Sequence, residues 1–254
     1  MDLPSDEEAR VEEGSPRSDP SDPKSKYLWK LGVAGQRQKE AVWQPREERP
    51  PTHTTLIIFD WDDTLLCTSA FNTDKPPTKQ SLAALAVDAE NLLSLAKTLG
   101  TVMIISNATS SWVHQSCRKY LPSLAKCIES VEIVSARDKF EKSFPDNPAQ
   151  WKMEAFCEVK ENSQTIANLV ALGDSPAEME ALHVLAKLYR ISYTKTIKFK
   201  ERPTCKELRD ELRLVQEKLQ TITCAVKNYD IRLQRVLREG EGSPTPTGER
   251  PISP

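Results

Sequence analysis

The sequence predicts an α/β fold, a parallel sheet covered by helices on both faces, and three observations carry that expectation. Short apolar runs, several rich in β-branched residues, recur between Leu56 and Tyr193. Helical patterns separate them. Residues that would interrupt such a pattern lie mostly elsewhere: of 18 prolines, 11 fall in residues 1–52 and 239–254, and between Thr52 and Arg238 the only glycines are Gly100 and Gly173. Alternation of strand and helix over some 140 residues marks a parallel sheet, because each parallel strand needs a crossover to bring the chain back to the same sheet edge.

The first strand is expected at Leu56-Ile57-Ile58-Phe59, bounded upstream by Pro50-Pro51 and downstream by acids. Its unbroken apolar character fits a strand buried on both faces. Val102-Met103-Ile104-Ile105 follows Gly100 as the second, Val131-Glu132-Ile133-Val134 is the third, and Leu169-Val170-Ala171-Leu172 is the fourth. A weaker fifth runs from Tyr189 to Tyr193. Between them, residues 79–99 place Leu82, Leu85, Ala89, Leu92, Leu93, Ala96 and Leu99 at helical spacing, with Gly100 as the stop. Shorter helices fit 109–120, 149–161 and 177–187.

Composition excludes several classes. Hydrophobic residues make up 38% of the 254, below the ~45–50% typical of a globular domain, so part of the chain has no core to bury. Residues 1–52 and 239–254 are polar and proline-rich and read as disordered tails. Within the first, Tyr27-Leu28-Trp29 and Val42-Trp43 stand out as apolar points, and the segment reads as untethered. No run of 18 apolar residues predicts a membrane span. The acidic start, Met1-Asp2-Leu3-Pro4, is unlike a signal peptide. The six cysteines show no CxxC spacing and signal neither a zinc site nor a disulfide frame. A reducing, intracellular and cytoplasmic setting is expected, with the nucleus left open. A net charge of −2 argues against a nucleic-acid binder.

The polar residues concentrate where the strands end. The first strand runs into Asp60-Trp61-Asp62-Asp63-Thr64, the second into Ser106-Asn107, and the fourth into Gly173-Asp174-Ser175-Pro176-Ala177-Glu178. Each string alone is ordinary turn or cap chemistry. Together, in order, at the ends of three strands, they point to one shared site, since parallel sheets bind ligands beyond the carboxyl ends of their strands. Carboxylates converging there repel one another unless a cation lies between them. Oxygen donors with room for a substrate phosphate point to Mg²⁺.

These residues are those by which the sequence resembles the haloacid dehalogenase-like (HAD) superfamily, from about Thr54 to Phe199. Its first motif, hhhhDxDxT, matches Ile57 to Thr64; its second, an apolar strand ending in Ser or Thr, matches Ile104-Ile105-Ser106; its fourth, GDxxxD, matches Gly173 to Glu178 with Glu as the last acid. Its third is a lysine at a helix start. Lys152 fits best, after the helix entry Asn147-Pro148, with Lys139 and Lys142 as rivals. The resemblance implies a Rossmann-like three-layer sheet of strand order 3-2-1-4-5. It implies Asp60 as a nucleophile forming an aspartyl-phosphate, and Asp62 as the acid and base. Ser106, Asn107 and Lys152 would hold phosphate. Asp60, Asp174 and the backbone carbonyl of Asp62 would bind Mg²⁺, with Glu178, Thr64 and Ser175 orienting the groups around it. An acid at Asp62 favours a phosphatase over a dehalogenase, because an alkoxide needs a proton to leave and a halide does not. Asp63 and Trp61 are assigned no catalytic role.

Spacing leaves no room for a large cap domain. Asp60 to Ser106 and Ser106 to Lys152 each span 46 residues, already filled by predicted elements. Uncapped magnesium-dependent phosphatases are the nearest comparison, and the expected substrate is a phosphomonoester, a phosphoprotein or a small molecule, under a short flap at Leu65–Thr78.

Beyond Pro203, a T-x-x-E capping box opens a heptad pattern, Leu208, Leu212, Val215, Leu219, Ile222, Val226, Tyr229, Leu233 and Val236. It predicts one helix over 204–238, about 52 Å long at ~1.5 Å per residue. Such a rod implies a coiled coil with a second copy or another partner. A non-catalytic scaffold oligomerising through it is the alternative to the phosphatase.

Overall fold

The computed structural model describes residues 27–33, 49–161 and 166–237. The disordered tails expected at 1–52 and 239–254 therefore lie largely outside the described residues. Among the described residues, seven strands form one sheet: β1 (Tyr27–Val33), β2 (Thr55–Phe59), β3 (Thr101–Ser106), β4 (Glu132–Ser135), β5 (Asn168–Gly173), β6 (Tyr193–Lys198) and β7 (Tyr229–Leu237). Among the described residues, seven α-helices accompany them: α1 (Lys79–Leu99), α2 (Ser110–Tyr120), α3 (Ala125–Ile128), α4 (Ala136–Phe140), α5 (Pro148–Glu161), α6 (Pro176–Tyr189) and α7 (Cys205–Cys224).

The spatial order is β4-β3-β2-β5-β6-β7-β1. The first six are mutually parallel, and β1 pairs antiparallel with β7 at the edge. Counted from β2, the parallel strands run 3-2-1-4-5-6, which contains the expected 3-2-1-4-5 and adds a sixth.

Alternation along the central strands builds two cores. Ile57, Phe59, Val102, Ile104, Val170 and Leu172 face one side, where α1 and α7 pack. Leu56, Ile58, Met103, Ile105, Leu169 and Ala171 face the other, against α5 and α6. Since side chains alternate along a strand, both faces need apolar residues, which is why these strands read as continuous apolar runs.

The helix α1 starts at Thr78, whose hydroxyl accepts from Ser81 N, and stops at Gly100. A Cβ on Gly100 would lie 2.5 Å from the carbonyl oxygen of Thr55. Close passage of two backbones, not turn geometry, is what requires glycine there. Replacing Gly100 by Ala is expected to cost about 1–3 kcal/mol through overpacking, read as a lower urea midpoint with an unchanged slope.

Three expectations are corrected. The fifth parallel strand is Tyr193–Lys198, not Tyr189–Tyr193, because α6 continues to Tyr189 and closes on Arg190 in the left-handed region at φ 51°. Its pattern was masked by Lys195, which is fully buried and donates to Asn168 Oδ1. Second, the helix over 204–238 does not form as one rod. It ends at Cys224, and Tyr229–Leu237 is a strand. Its apolar residues Leu208, Leu212, Val215, Leu219 and Ile222 are buried in the protein's own core, and Arg209 and Arg213 both pair with Asp88 of α1, at 2.8 and 3.0 Å. The 4,3 spacing is shared by coiled coils and by any amphipathic helix on a sheet. The period changes to two at Ile231 and Leu233, both buried, with Arg232 exposed between them. Third, Tyr27–Val33 is no untethered tail, since it forms β1. The folded unit therefore extends past Phe199, where the resemblance ends, to β7.

Candidate active site

The carboxyl ends of β2, β3 and β5 meet at a cleft of about 440 Å³, where α5 and α6 also contribute. Asp60, Asp62, Ser106, Asn107 and Lys152 line it, and so do Asp174, Ser175 and Glu178. Thr64 does not. It is fully buried below the loop, and its hydroxyl has no hydrogen-bond partner among the described residues.

Lys152 is the centre of the arrangement. It projects from α5 with no solvent exposure. Its Nζ lies 2.7 Å from Asp60 Oδ1 and 3.1 Å from Glu178 Oε1, and donates to the Ile105 carbonyl at 2.7 Å. These three acceptors match the three protons of an ammonium group. Burial opposes the charge, but the facing Asp60 and Glu178 outweigh it and raise the lysine's pKa above the ordinary value. The rivals lie elsewhere: Lys139 pairs with Glu158 at 2.7 Å on the surface, and Lys142 is exposed.

Asp60, the first residue beyond β2, donates its amide N–H to the Leu172 carbonyl at 2.9 Å. Its carboxyl is pushed up to about 7, first by burial and then by Glu178 and Asp62, against the opposing pull of Lys152. Asp174 is pushed up to about 8, again by burial first, with Asp60, Glu178 and Asp63 adding repulsion. Its backbone carbonyl accepts from Lys198 Nζ at 2.7 Å, which holds the loop after β5. Ser175 caps α6, and Glu178 closes the reciprocal capping box while its other oxygen reaches Lys152. Gly173 is needed because a Cβ there would sit 2.8 Å from Glu178 Cγ.

At the end of β3, Ser106 Oγ accepts from Ala108 N at 3.0 Å. Asn107 Nδ2 donates to the Pro148 carbonyl at 3.2 Å, tying this loop to the start of the helix that carries Lys152.

The loop after β2 contains contacts that motif reading did not anticipate. Asp62 Oδ1 accepts from Thr68 Oγ1 at 2.5 Å and from Trp112 Nε1 at 3.0 Å. Asp63 adopts φ 54°, a conformation that costs a non-glycine residue energy. Its carboxylate accepts from Ser69 N at 2.9 Å and from the Ser69 hydroxyl, so it anchors the flap. Trp61 faces the core and donates to Ser116 Oγ at 3.0 Å. The flap itself is a short 3-10 turn, Thr68–Asn72. Thr68 left no periodic signal. Trp112 was visible only as an aromatic residue on the polar first turn of α2.

Among the described residues, no group of three or more His, Cys, Asp or Glu side chains is arranged to hold a metal ion. The donor set implied for Mg²⁺ needs only two carboxylates, Asp60 and Asp174, with a backbone carbonyl from Asp62. Both carboxyls are held above their ordinary range by burial and mutual repulsion, the condition that a bound divalent cation relieves. The residues present fit the ion on that ground. No helix among the described residues is long and apolar enough to cross a membrane.

Comparison with known proteins returns no match for this chain, whether to a protein-family model, to a curated protein or to a solved structure.

Proposed function

We propose that the chain is a Mg²⁺-dependent phosphatase of the HAD type, hydrolysing a phosphomonoester through an aspartyl-phosphate. The observation that supports this most is the buried Lys152 ammonium at 2.7 Å from Asp60 and 3.1 Å from Glu178, in a cleft shared with Asp174 and Ser106. A purely structural sheet end has no use for a desolvated cation between two acids, since such burial gains little stability.

In this reading the substrate phosphate enters with its oxygens on Ser106 and the Asn107 loop, and Lys152 neutralises part of its charge. An Asp60 oxygen attacks phosphorus in line with the ester bond. The P–O bond to Asp60 forms as the bond to the leaving oxygen breaks, and Asp62 gives that oxygen its proton. Asp62 then takes a proton from a water molecule that attacks the acyl phosphate, returning Asp60 and inorganic phosphate. Mg²⁺, held by Asp60, Asp174 and the Asp62 carbonyl, would offset the remaining negative charge during both transfers. Glu178 keeps Lys152 in place.

Cation binding is also testable without turnover. Carboxyls with raised folded-state pKa values bind protons more readily folded than unfolded, so their contribution is full below about pH 4 and is lost as pH rises through 7 and 8. Mg²⁺ is expected to raise the melting temperature, and to raise it more at pH 8 than at pH 6, because the protons on Asp60 and Asp174 compete with it. Equal melting temperatures with EDTA and with millimolar Mg²⁺ at pH 8 would count against the metal site.

The scaffold alternative has lost its rod, because α7 packs on α1 and the sheet.

A further inference from the structure

We propose that Trp112 and Thr68 are positioning residues for the proton transfers of this reaction, and that together they reserve Oδ2 of Asp62 for the substrate's leaving oxygen. The inference rests on the phosphatase reading above and goes beyond it by assigning the support of the acid to two residues outside the motifs.

Both donors converge on one oxygen. Trp112 Nε1 lies 3.0 Å from Asp62 Oδ1, and Thr68 Oγ1 lies 2.5 Å from the same atom. The Thr68 hydroxyl has a single proton, and its alternative acceptor, the Leu66 carbonyl, is farther away at 3.3 Å. A carboxylate oxygen has about two lone-pair sites, so Oδ1 is saturated. Oδ2 accepts no hydrogen bond among the described residues. An indole N–H can only donate, so Trp112 always binds Asp62 through an acceptor oxygen. A proton on this carboxyl is thereby directed to Oδ2, and rotation that would exchange the two oxygens is blocked from two sides.

The two donors come from different elements. Thr68 opens the flap turn, and Trp112 sits on the first turn of α2, where its backbone N–H is capped by Thr109 Oγ1 at 3.2 Å. That turn follows directly on Ser106-Asn107. Placement of the acid is thus mechanically tied to the loop that would hold the phosphate and to the flap beside it. Thr68 lines the cleft and Trp112 does not, so the effect of Trp112 on chemistry must pass through Asp62.

The role can be separated from a general packing role by the leaving group. An alkyl phosphate needs a proton on its departing oxygen; an activated aryl phosphate departs without one. Trp112→Phe and Thr68→Val are each expected to lower kcat/KM, which reports departure of the leaving group and not the later hydrolysis of the aspartyl-phosphate, by roughly ten- to a hundredfold on an alkyl phosphate, and by only a few-fold on an activated aryl phosphate. Thr68→Ser, which keeps the hydroxyl, is expected to stay near wild type on both. In an Asp62→Asn background, assayed on the aryl phosphate, adding Trp112→Phe should cost nothing further, because the two residues act as a unit. Melting curves identify any variant that fails to fold, and Thr68→Val, on the half-buried flap turn, then carries the test. Equal losses on both substrates, wild-type rates on the alkyl phosphate, or a full additional loss in the Asp62→Asn background would overturn the inference. Failure of the wider reading looks different: wild-type protein with Mg²⁺ would then hydrolyse neither phosphate.

Discussion

Under the proposed mechanism, replacing Asp60 by Asn is expected to reduce hydrolysis of an aryl phosphate by at least about 10³-fold, because it removes the carboxylate that attacks phosphorus. The substitution keeps the shape of the side chain. It leaves Lys152 with Glu178 at 3.1 Å and the Ile105 carbonyl at 2.7 Å, so folding should survive and the loss should fall on turnover. EDTA should abolish the same activity, and restored Mg²⁺ should recover it in wild type alone. The measurement is a phosphate-release assay over a panel of phosphopeptides and small phosphomonoesters, with both proteins run side by side. Full activity in Asp60→Asn would exclude the aspartyl-phosphate route.

Replacing Lys152 by Met should carry the largest stability effect. Removing one member of a buried charge group leaves the others uncompensated, at a cost of about 3–5 kcal/mol. Here the group left behind is Asp60 beside Glu178, both nearly without exposure. Sign matters for the pH dependence. Asp60 already titrates at about 7 with the lysine present, and loss of that cation pushes it higher. Below its pKa the carboxyl is neutral and the repulsion disappears, so the deficit should be smaller at pH 6 than at pH 8. Urea melts of both proteins at the two pH values measure this directly. A Lys152→Met protein as stable as wild type at pH 8 would mean that the three groups are not coupled as their distances indicate.

The site was more legible in the sequence than its support. Asp60, Asp62, Ser106, Lys152 and Asp174 stand at strand ends or a helix start, where local pattern marks both the element and the polar residue that ends it. Lys152 was ambiguous against Lys139 and Lys142, because a lysine on a helix looks alike whether it meets Glu158 at the surface or Asp60 in the core. Only the packing of α5 against β3 separates them. Thr64, expected only to orient the groups around the ion, is fully buried and does not line the cleft.

What sequence alone determined is the part governed by period and punctuation. The central strands and the helix from Lys79 to Leu99 follow from apolar runs and caps, and parallel pairing follows from their alternation; the order 3-2-1-4-5 was implied only by the resemblance to the HAD superfamily. Tertiary structure decided the rest. A 4,3 apolar stripe states only that one face of a helix must be covered, and the covering surface proved to be the chain's own sheet and α1. The Tyr27–Val33 strand has few local signals, because an edge strand gains its hydrogen bonds from a partner about 200 residues away. Likewise, the two donors on Asp62 come from positions 6 and 50 residues distant, a juxtaposition that no local pattern encodes and that exists only once β2, α2 and the flap have packed together.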